Sequence, residues 1–116
     1  MKKLFVLITI LLALFLVSCS PRQNYDSFAS CLTEKGAVMY GTFWCPHCKD
    51  QKDLFGDSFQ YVNYVECSFP DGKTQTELCI KKEIESYPTW EFENGERLGG
   101  TVSLATLSEK TGCSLQ

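Results

Sequence analysis

The chain has 116 residues and a net charge of −3 at neutral pH, and 44% of its residues are hydrophobic. This length suits one small domain, and an acidic balance excludes the basic footprint of a nucleic-acid-binding protein. Seven cysteines in so short a chain are typical of proteins that fold in an oxidising compartment.

The first 18 residues predict a targeting segment rather than part of the fold. Lys2 and Lys3 supply a positive start, and residues 4–17 form an apolar run that only Thr9 interrupts. This run is shorter than the roughly 20 residues of a membrane-spanning helix and is typical of a signal peptide.

The apolar run ends at Ser18 and Cys19, a pattern that resembles a bacterial lipoprotein processing site. We therefore expect a lipoprotein-type signal peptide at 1–18, a lipid on Cys19, and a tether at 19–25. The alternatives are an ordinary signal peptide cut near Ser18 or Ser20, and an uncleaved anchor. All three predict an extracytoplasmic domain, on the periplasmic or cell-surface side of a membrane.

Without residues 1–18 the chain keeps nine basic and 14 acidic residues, so its net charge becomes −5. Such a surface would not be drawn by charge to anionic lipid, so membrane attachment is expected through the lipid on Cys19. With Cys19 lipidated, six cysteines remain, an even number that allows fifteen pairings.

Residues 26–116 predict alternating helices and strands, which together form a mixed sheet of about four strands with helices on both faces. Thr74 and Glu77 fit a capping box, and Asn94-Gly95 predicts a two-residue hairpin turn. The predicted elements are a helix at 26–36, a strand at 37–42, a helix to Phe55, a strand at 61–65, a helix from about 74 to 84, strands at 89–92 and 96–98, and a helix at 103–112.

A pair of cysteines lies where the first of these strands meets the next helix, in the segment Trp44-Cys45-Pro46-His47-Cys48. Cysteines in this spacing on a helix's first turn can close and exchange a disulfide. Helix-terminal N–H groups and a neighbouring imidazolium stabilise a thiolate, and a pair whose reduced form is stabilised is a strong oxidant.

These residues receive separate predicted roles. Cys45 is expected to present its sulfur to solvent as the nucleophile, and Cys48, one turn deeper, to resolve the mixed disulfide. His47, the only histidine of the chain, is expected to place an imidazolium near the Cys45 thiolate. Pro46 stiffens the first turn, and Trp44 is expected to be an exposed residue at the rim of the site.

Four segments carry a family resemblance: Met39–Cys48, Leu54–Gly56, Tyr64–Cys67 and Ser86–Trp90. They resemble the thioredoxin fold and, more closely, the thioredoxin-like domain fused to bacterial homologues of vitamin K epoxide reductase. The resemblance covers roughly residues 27–113. It implies disulfide exchange with secreted proteins and reoxidation by a membrane quinone reductase. The Cys-Pro-His-Cys tetrad is also that of the periplasmic oxidant DsbA.

The resemblance has two departures. No multi-helix membrane domain is part of this chain, so a reoxidising partner is expected to be a separate protein. Thioredoxins and DsbA carry a buried acid six residues before the first cysteine, where it relays a proton to the second. This chain has Met39 at that position, so a relay needs water or some other group.

The resemblance also implies a cis-proline at Pro88, packed against the cysteine pair. Tyr87 would then offer its backbone to an extended substrate segment and help to set substrate preference. By the same analogy, Cys67 and Cys79 form a disulfide that braces the turn at 70–72, with a second redox relay as the alternative.

Cys31 and Cys113, near the two ends of the domain, are the cysteines that remain once the others are assigned. Their bonding is expected only because they remain, since no sequence pattern places them together.

The sequence therefore predicts an enzyme, an extracytoplasmic thiol–disulfide oxidoreductase that acts as an oxidant on cysteine-containing secreted or envelope proteins. A reductase or isomerase with the same site is the first alternative. A metal-binding lipoprotein using Cys45, His47 and Cys48 is weaker, because a second ligand pair of matching spacing is absent. A purely structural surface lipoprotein is the remaining alternative. No cofactor and no metal are predicted.

Overall fold

The computed structural model describes residues 1–13 and 23–116. Ser18 and Cys19, where signal cleavage and lipidation are expected, lie outside the described residues, so these expectations stay predictions. The described elements are the helices α1 (Lys2–Ala13), α2 (Asp26–Glu34), α3 (Pro46–Phe55), α4 (Glu77–Lys81) and α5 (Leu104–Thr111), a 3₁₀ helix (Gly56–Tyr61), and the strands β1 (Val38–Gly41), β2 (Tyr64–Glu66), β3 (Thr89–Glu91) and β4 (Arg97–Gly99).

The four strands form one mixed sheet in the order β2-β1-β3-β4. Strands β1 and β2 are parallel, and Met39 is in register with Tyr64. Strand β3 is antiparallel to both β1 and β4. The predicted mixed sheet of four strands is confirmed.

Successive side chains of β1 point to opposite faces of the sheet, and each face has its own core cluster with helices packed on it. Met39 belongs to a larger core cluster with side chains of α2, α3 and α5. Tyr40 belongs to a smaller cluster with Cys67, Cys79 of α4, and Ile84. The sheet is therefore a central layer, as predicted.

The hairpin between β3 and β4 turns through three residues rather than the predicted two. The Phe92 N–H donates to the Glu96 carbonyl at 2.9 Å, and the Gly95 N–H donates to the Phe92 carbonyl at 2.9 Å. Only Gly95 of the Asn94-Gly95 pair has a positive φ, of +84°. A two-residue type I′ turn needs positive φ at both residues, so the sequence signal located the hairpin but missed its turn type.

The predicted helix from Thr74 to Ile84 is shorter in the structure. Helix α4 begins after Thr76 and ends at Lys81. Thr74 does not cap it, because the Asp71 carboxylate accepts hydrogen bonds from the Thr74 N–H and hydroxyl and from the Lys73 N–H. These contacts close the preceding loop instead, so the capping-box prediction was wrong.

Two disulfides lie outside the cysteine pair of α3. Cys67 and Cys79 are bonded, with 5.6 Å between their Cα atoms. Cys31 and Cys113 are bonded as well, with 5.9 Å between theirs, and join α2 to the segment after α5.

The N-terminal apolar run is helical over Lys2–Ala13. Within residues 1–13 and 23–116, no helix is both long enough and apolar enough to cross a membrane.

Candidate active site

The cysteine pair lies at the start of α3, directly after the carboxyl end of β1. Cys45 is the N-cap residue, in extended conformation, and Pro46 occupies the first helical turn. The free N–H groups and the dipole at a helix N-terminus favour a negative charge there. The Lys49 N–H donates to the Cys45 carbonyl at 3.1 Å, so the helix begins at the nucleophile itself.

Cys45 is less exposed than the sequence predicted. Only 7% of the residue is exposed, and its thiol donates to the Tyr87 carbonyl at 3.5 Å. The loop that carries Tyr87 therefore lies against the sulfur and covers part of it. Cys48 is covered further, at 1% exposure, so Cys45 is the more accessible of the two.

Cys48 is held as a protonated thiol. Burial raises its pKa to about 12, and the neighbouring Cys45 adds to this increase. The Thr42 backbone and the positive charge of Lys52 act in the opposite direction but do not offset it. Because the pair is in its dithiol form, Cys48 has to lose this proton before it can attack a mixed disulfide.

His47 projects into solvent from the first turn of α3. Its Nδ1 lies 3.9 Å from the Asp50 carboxylate, and 73% of its side chain is exposed. The imidazole thus faces an acidic neighbour one turn along the helix, and its predicted role toward Cys45 stays a prediction.

Trp44 lies at the rim of the site, where it is 51% exposed. Its indole N–H donates to the Ser68 hydroxyl at 3.3 Å, and its ring meets the Tyr87 ring edge-on at 6.1 Å. Phe43 is also exposed, and a Cβ on Gly72 would touch both the Phe43 and Trp44 rings. Aromatic side chains thus extend from the cysteine pair onto the loop that the Cys67–Cys79 bond braces.

The Tyr87–Pro88 peptide bond is cis, as the resemblance implied. Tyr87 is held by its side chain as well as its backbone, since Gln75 Nε2 donates to its hydroxyl at 2.8 Å. Gln75 Nε2 also donates to the Ile84 carbonyl at 2.8 Å. Burial raises the pKa of the Tyr87 hydroxyl, so it remains a neutral group beside the site.

Gln51 is a residue that sequence reasoning missed. It lies on α3, one turn after Cys48, and is fully buried. Its amide oxygen accepts from the Trp90 indole N–H at 3.1 Å and from the Val102 N–H at 2.7 Å. Its amide nitrogen donates to the Val102 carbonyl at 2.9 Å. Gln51 therefore ties the helix of the cysteine pair to β3 and to the segment before α5.

Tyr64 and Glu66 of β2 are two further residues near the site for which sequence reasoning assigned no role. Their side chains share one face of the strand, where the Tyr64 hydroxyl donates to Glu66 Oε1 at 3.3 Å. Tyr64 and Cys48 border the same space beside Gly41, since a Cβ there would lie 2.9 Å from Cys48 Sγ and 3.4 Å from the Tyr64 hydroxyl. A glycine inside a predicted strand is a signal of such close approach.

Among residues 1–13 and 23–116, the side chains of His, Cys, Asp and Glu form no cluster of three or more that could hold a metal ion. The metal-binding alternative therefore gains no support from this part of the chain.

Comparison with known proteins gives relatives among disulfide-exchange enzymes. Thiol-disulfide oxidoreductase LTO1 from Arabidopsis thaliana is 47% identical over 104 residues, which cover 85% of this chain and 27% of the relative. Protein disulfide-isomerase 5-1 from Arabidopsis thaliana is 32% identical over 80 residues, which cover 63% of this chain and 55% of the relative. The chain thus spans about a quarter and about half of these two proteins. A scan against protein-family models found no match.

Among solved structures, oxidised glutaredoxin 2 from Chlamydomonas reinhardtii aligns with 75% of this chain and 97% of its own, with 20% identity and a TM-score of 0.41. At this score the fold assignment rests on other observations. These are the sheet order, the cysteine pair at the start of α3 and the cis-proline opposite it. The chain has a thioredoxin-like fold. The relatives are named for the predicted chemistry, thiol–disulfide oxidoreductase and protein disulfide-isomerase.

Proposed function

We propose that this chain is an extracytoplasmic thiol–disulfide oxidoreductase that donates disulfides to cysteine-containing secreted or envelope proteins. The observation that carries the proposal is the arrangement of the two free cysteines among the described residues. Cys45 caps α3 with its sulfur against the Tyr87 carbonyl, and Cys48 lies buried one turn below. The outer sulfur lies at a helix N-terminus, where negative charge is favoured, while burial keeps the inner thiol protonated.

The reaction transfers two electrons from a substrate dithiol to the oxidised pair. A substrate thiolate attacks Cys45 Sγ, the Cys45–Cys48 bond breaks, and Cys48 leaves as a thiolate that takes up a proton. A second substrate thiolate then attacks the substrate sulfur of the mixed disulfide and expels Cys45. The products are a substrate disulfide and the dithiol form of the pair, the form present in the structure.

Binding of the substrate uses the loop opposite the pair. An extended substrate segment would pair with the backbone of Tyr87, while its side chains meet the exposed rings of Phe43 and Trp44. Main-chain pairing tolerates many sequences, as an enzyme with several substrate proteins requires. The Tyr87 ring, edge-on to Trp44, would then set part of the substrate preference.

The cellular setting belongs to the proposal too. After removal of the signal segment at 1–18, a lipid on Cys19 would anchor the domain at the periplasmic or cell-surface face of a membrane. A separate membrane enzyme similar to vitamin K epoxide reductase would reoxidise the Cys45–Cys48 pair. Two disulfides closed away from the site, Cys31–Cys113 and Cys67–Cys79, support an oxidising compartment.

The test is the reduction potential of the Cys45–Cys48 pair, measured in glutathione buffers on the chain with Cys19→Ser. Alkylation and mass spectrometry separate this pair from the two structural disulfides. A potential near about −120 mV is expected for a disulfide donor, and one near about −270 mV would mean a reductase instead.

An isomerase with the same site is a second candidate, because one relative is named a protein disulfide-isomerase. A scrambled, fully oxidised substrate protein distinguishes the two functions. With a disulfide donor the substrate protein stays inactive, whereas an isomerase restores its activity. The Cys45–Cys48 pair of an isomerase should also have an intermediate reduction potential of about −180 mV.

A further inference from the structure

Each exchange cycle moves a proton on and off Cys48, and the structure encloses this thiol among few groups able to carry one. Strand β1 offers none beneath it, since Met39 is apolar and fully buried. Strand β2 offers two, Tyr64 and Glu66. Helix α3 contributes Cys45 and Lys52, and the loop before β3 contributes Tyr87.

The Tyr64 hydroxyl and the Cys48 sulfur both border the space beside Gly41, where this residue has no side chain. Both the hydroxyl and the Cys48 sulfur lie within 3.4 Å of the point where a Cβ on Gly41 would stand. Any larger residue at position 41 would therefore displace one of the two groups. Through this space the Cys48 thiol faces Tyr64 of β2.

From Tyr64 the path leads outward to a fixed carboxylate. The Tyr64 hydroxyl donates to Glu66 Oε1 at 3.3 Å, and Glu66 Oε2 accepts from the Ser68 N–H at 3.2 Å. Both Tyr64 and Glu66 are half-buried, whereas Cys48 is fully buried. The three groups are therefore ordered from the core toward solvent.

The other groups around Cys48 favour the transfer of protons through neutral hydroxyls over the presence of a second anion. The Lys52 ammonium lies 4.2 Å from the centre of the Tyr64 ring and holds the ring in place as a cation–π contact. Burial and the negative charge of Glu66 raise the pKa of Tyr64, so its hydroxyl stays neutral and acts by passing protons through. The raised pKa of Tyr87 keeps that hydroxyl neutral as well.

We propose that Tyr64 and Glu66 carry the proton of Cys48 to and from solvent during disulfide exchange. This inference rests on the proposed function. When Cys48 attacks a mixed disulfide on Cys45, its proton passes to the Tyr64 oxygen as the phenolic proton of Tyr64 passes to the Glu66 carboxylate. The Cys45–substrate bond breaks, the Cys45–Cys48 bond forms, and the substrate leaves as a thiolate. The reverse transfer protonates Cys48 when the pair is reduced.

The test follows the two steps of exchange separately in the reduced full chain with Cys19→Ser, purified in detergent with its two structural disulfides intact. The probe is an aromatic disulfide whose released thiolate absorbs visible light. Attack by Cys45 releases the first equivalent, and attack by Cys48 releases the second. The variants are Tyr64→Phe, which keeps the ring over Lys52, and Glu66→Gln, which keeps the shape of the side chain.

We expect each variant to keep the first phase and to slow the second by roughly a hundredfold near neutral pH, the usual worth of a positioned acid–base group. The second phase should also become pH-dependent, rising about tenfold per pH unit, because hydroxide has to remove the proton that Glu66 otherwise accepts. Tyr61→Phe and Glu77→Gln, exposed residues away from the site, are matched controls that should keep both phases.

Second phases that keep the wild-type rate and pH profile in both variants would overturn the inference while leaving the proposed function standing. Absence of the first phase in the wild-type chain would instead remove the proposed function, and the inference with it. Because the first phase reports on Cys45 in every variant, a folding defect appears as a changed first phase, since an unfolded chain exposes both buried thiols to the probe.

Discussion

The Cys45–Cys48 and Cys67–Cys79 pairs begin at the same edge of the sheet, yet their surroundings differ. Cys45 follows the carboxyl end of β1, and Cys67 follows the carboxyl end of the parallel strand β2. The backbone of Cys67 is paired on both sides, since its N–H donates to the Gly41 carbonyl and its carbonyl accepts from the Thr76 N–H. Cys45 begins a helix instead.

Burial alone does not distinguish the pairs, because Cys48, Cys67 and Cys79 are all almost completely covered. The difference lies in the groups around the sulfurs. Cys67 and Cys79 lie in a core cluster with Tyr40 and Ile84. Cys45 lies at a helix N-terminus, where a negative charge is favoured, and its sulfur lies against the loop that carries Tyr87. Of these two pairs, this one is therefore placed to exchange a disulfide with a substrate.

The substitution Cys45→Ser tests most directly whether the reactive pair depends on Cys45. The reactive pair then lacks its nucleophile, and exchange should fall by at least about a thousandfold, to the uncatalysed rate. Cys48→Ser should retain the first attack and accumulate the mixed disulfide. The measurements are thiolate release from the aromatic disulfide and mass spectrometry of the trapped species. Exchange that persists in Cys45→Ser would place the chemistry at another cysteine.

Removing the other pair should affect stability rather than exchange. The double variant Cys67→Ala/Cys79→Ala opens a loop of 12 residues' separation, which should lower the free energy of unfolding by about 3 kcal/mol. The matched variant Cys31→Ala/Cys113→Ala opens a separation of 82 and should cost more, about 4.5 kcal/mol. Urea unfolding measures both.

Exchange by the folded Cys67→Ala/Cys79→Ala chain should stay near the wild-type rate. A large loss of exchange with the fold intact would support the alternative in which this pair is a second redox relay.

Sequence patterns predicted most of this fold because its helices and strands are marked locally. Asp26 begins α2, and Ser103 caps α5 by accepting from the Thr106 N–H, before Gly112 ends the helix in a left-handed conformation. The 3₁₀ helix at Gly56–Tyr61 was missed, and β2 was placed too early, because Tyr61 and Val62 carry the aromatic and β-branched character of a strand.

The site was predictable only where its residues adjoin in sequence. Cys45 to Cys48 carry their own motif, and Pro88 followed from the resemblance. The contacts of Tyr87 with Cys45, and of Gln51 with Val102, join residues far apart in the chain. No local pattern reports such contacts. The glycine at position 41 was the one signal of close approach within reach of sequence reasoning.

Gln51→Ala tests whether the buried hydrogen bonds of Gln51 stabilise the position of α3, the helix that begins at the reactive pair. The change leaves the Trp90 indole N–H and the Val102 N–H and carbonyl without their buried partner, so stability should fall by about 2 kcal/mol. Thermal or urea unfolding measures the change. Gln60→Ala is the matched control, since Gln60 is exposed and its loss should stay within about 0.5 kcal/mol. Equal effects of the two variants would contradict the assigned role of Gln51.

The last expected effect is a pH dependence of stability to which Cys48 contributes. Its thiol ionises at about 12 in the folded chain, against an ordinary pKa of 9.0. The folded state therefore holds this proton more tightly than the unfolded state. The reduced chain should lose stability between pH 9 and pH 12, by at most about 1.4 kcal/mol per pH unit. Below pH 9 both states hold the proton, and the contribution is constant.

The control is the same chain with the Cys45–Cys48 disulfide closed, in which neither cysteine can ionise. The difference in unfolding free energy between reduced and oxidised chains, measured by urea unfolding across this range, cancels the tyrosines and lysines that titrate in both. As pH rises, the reduced chain should become less stable relative to the oxidised chain. A constant difference would mean that Cys48 is not held as a protonated thiol, and that the two cysteine pairs differ less than their surroundings indicate.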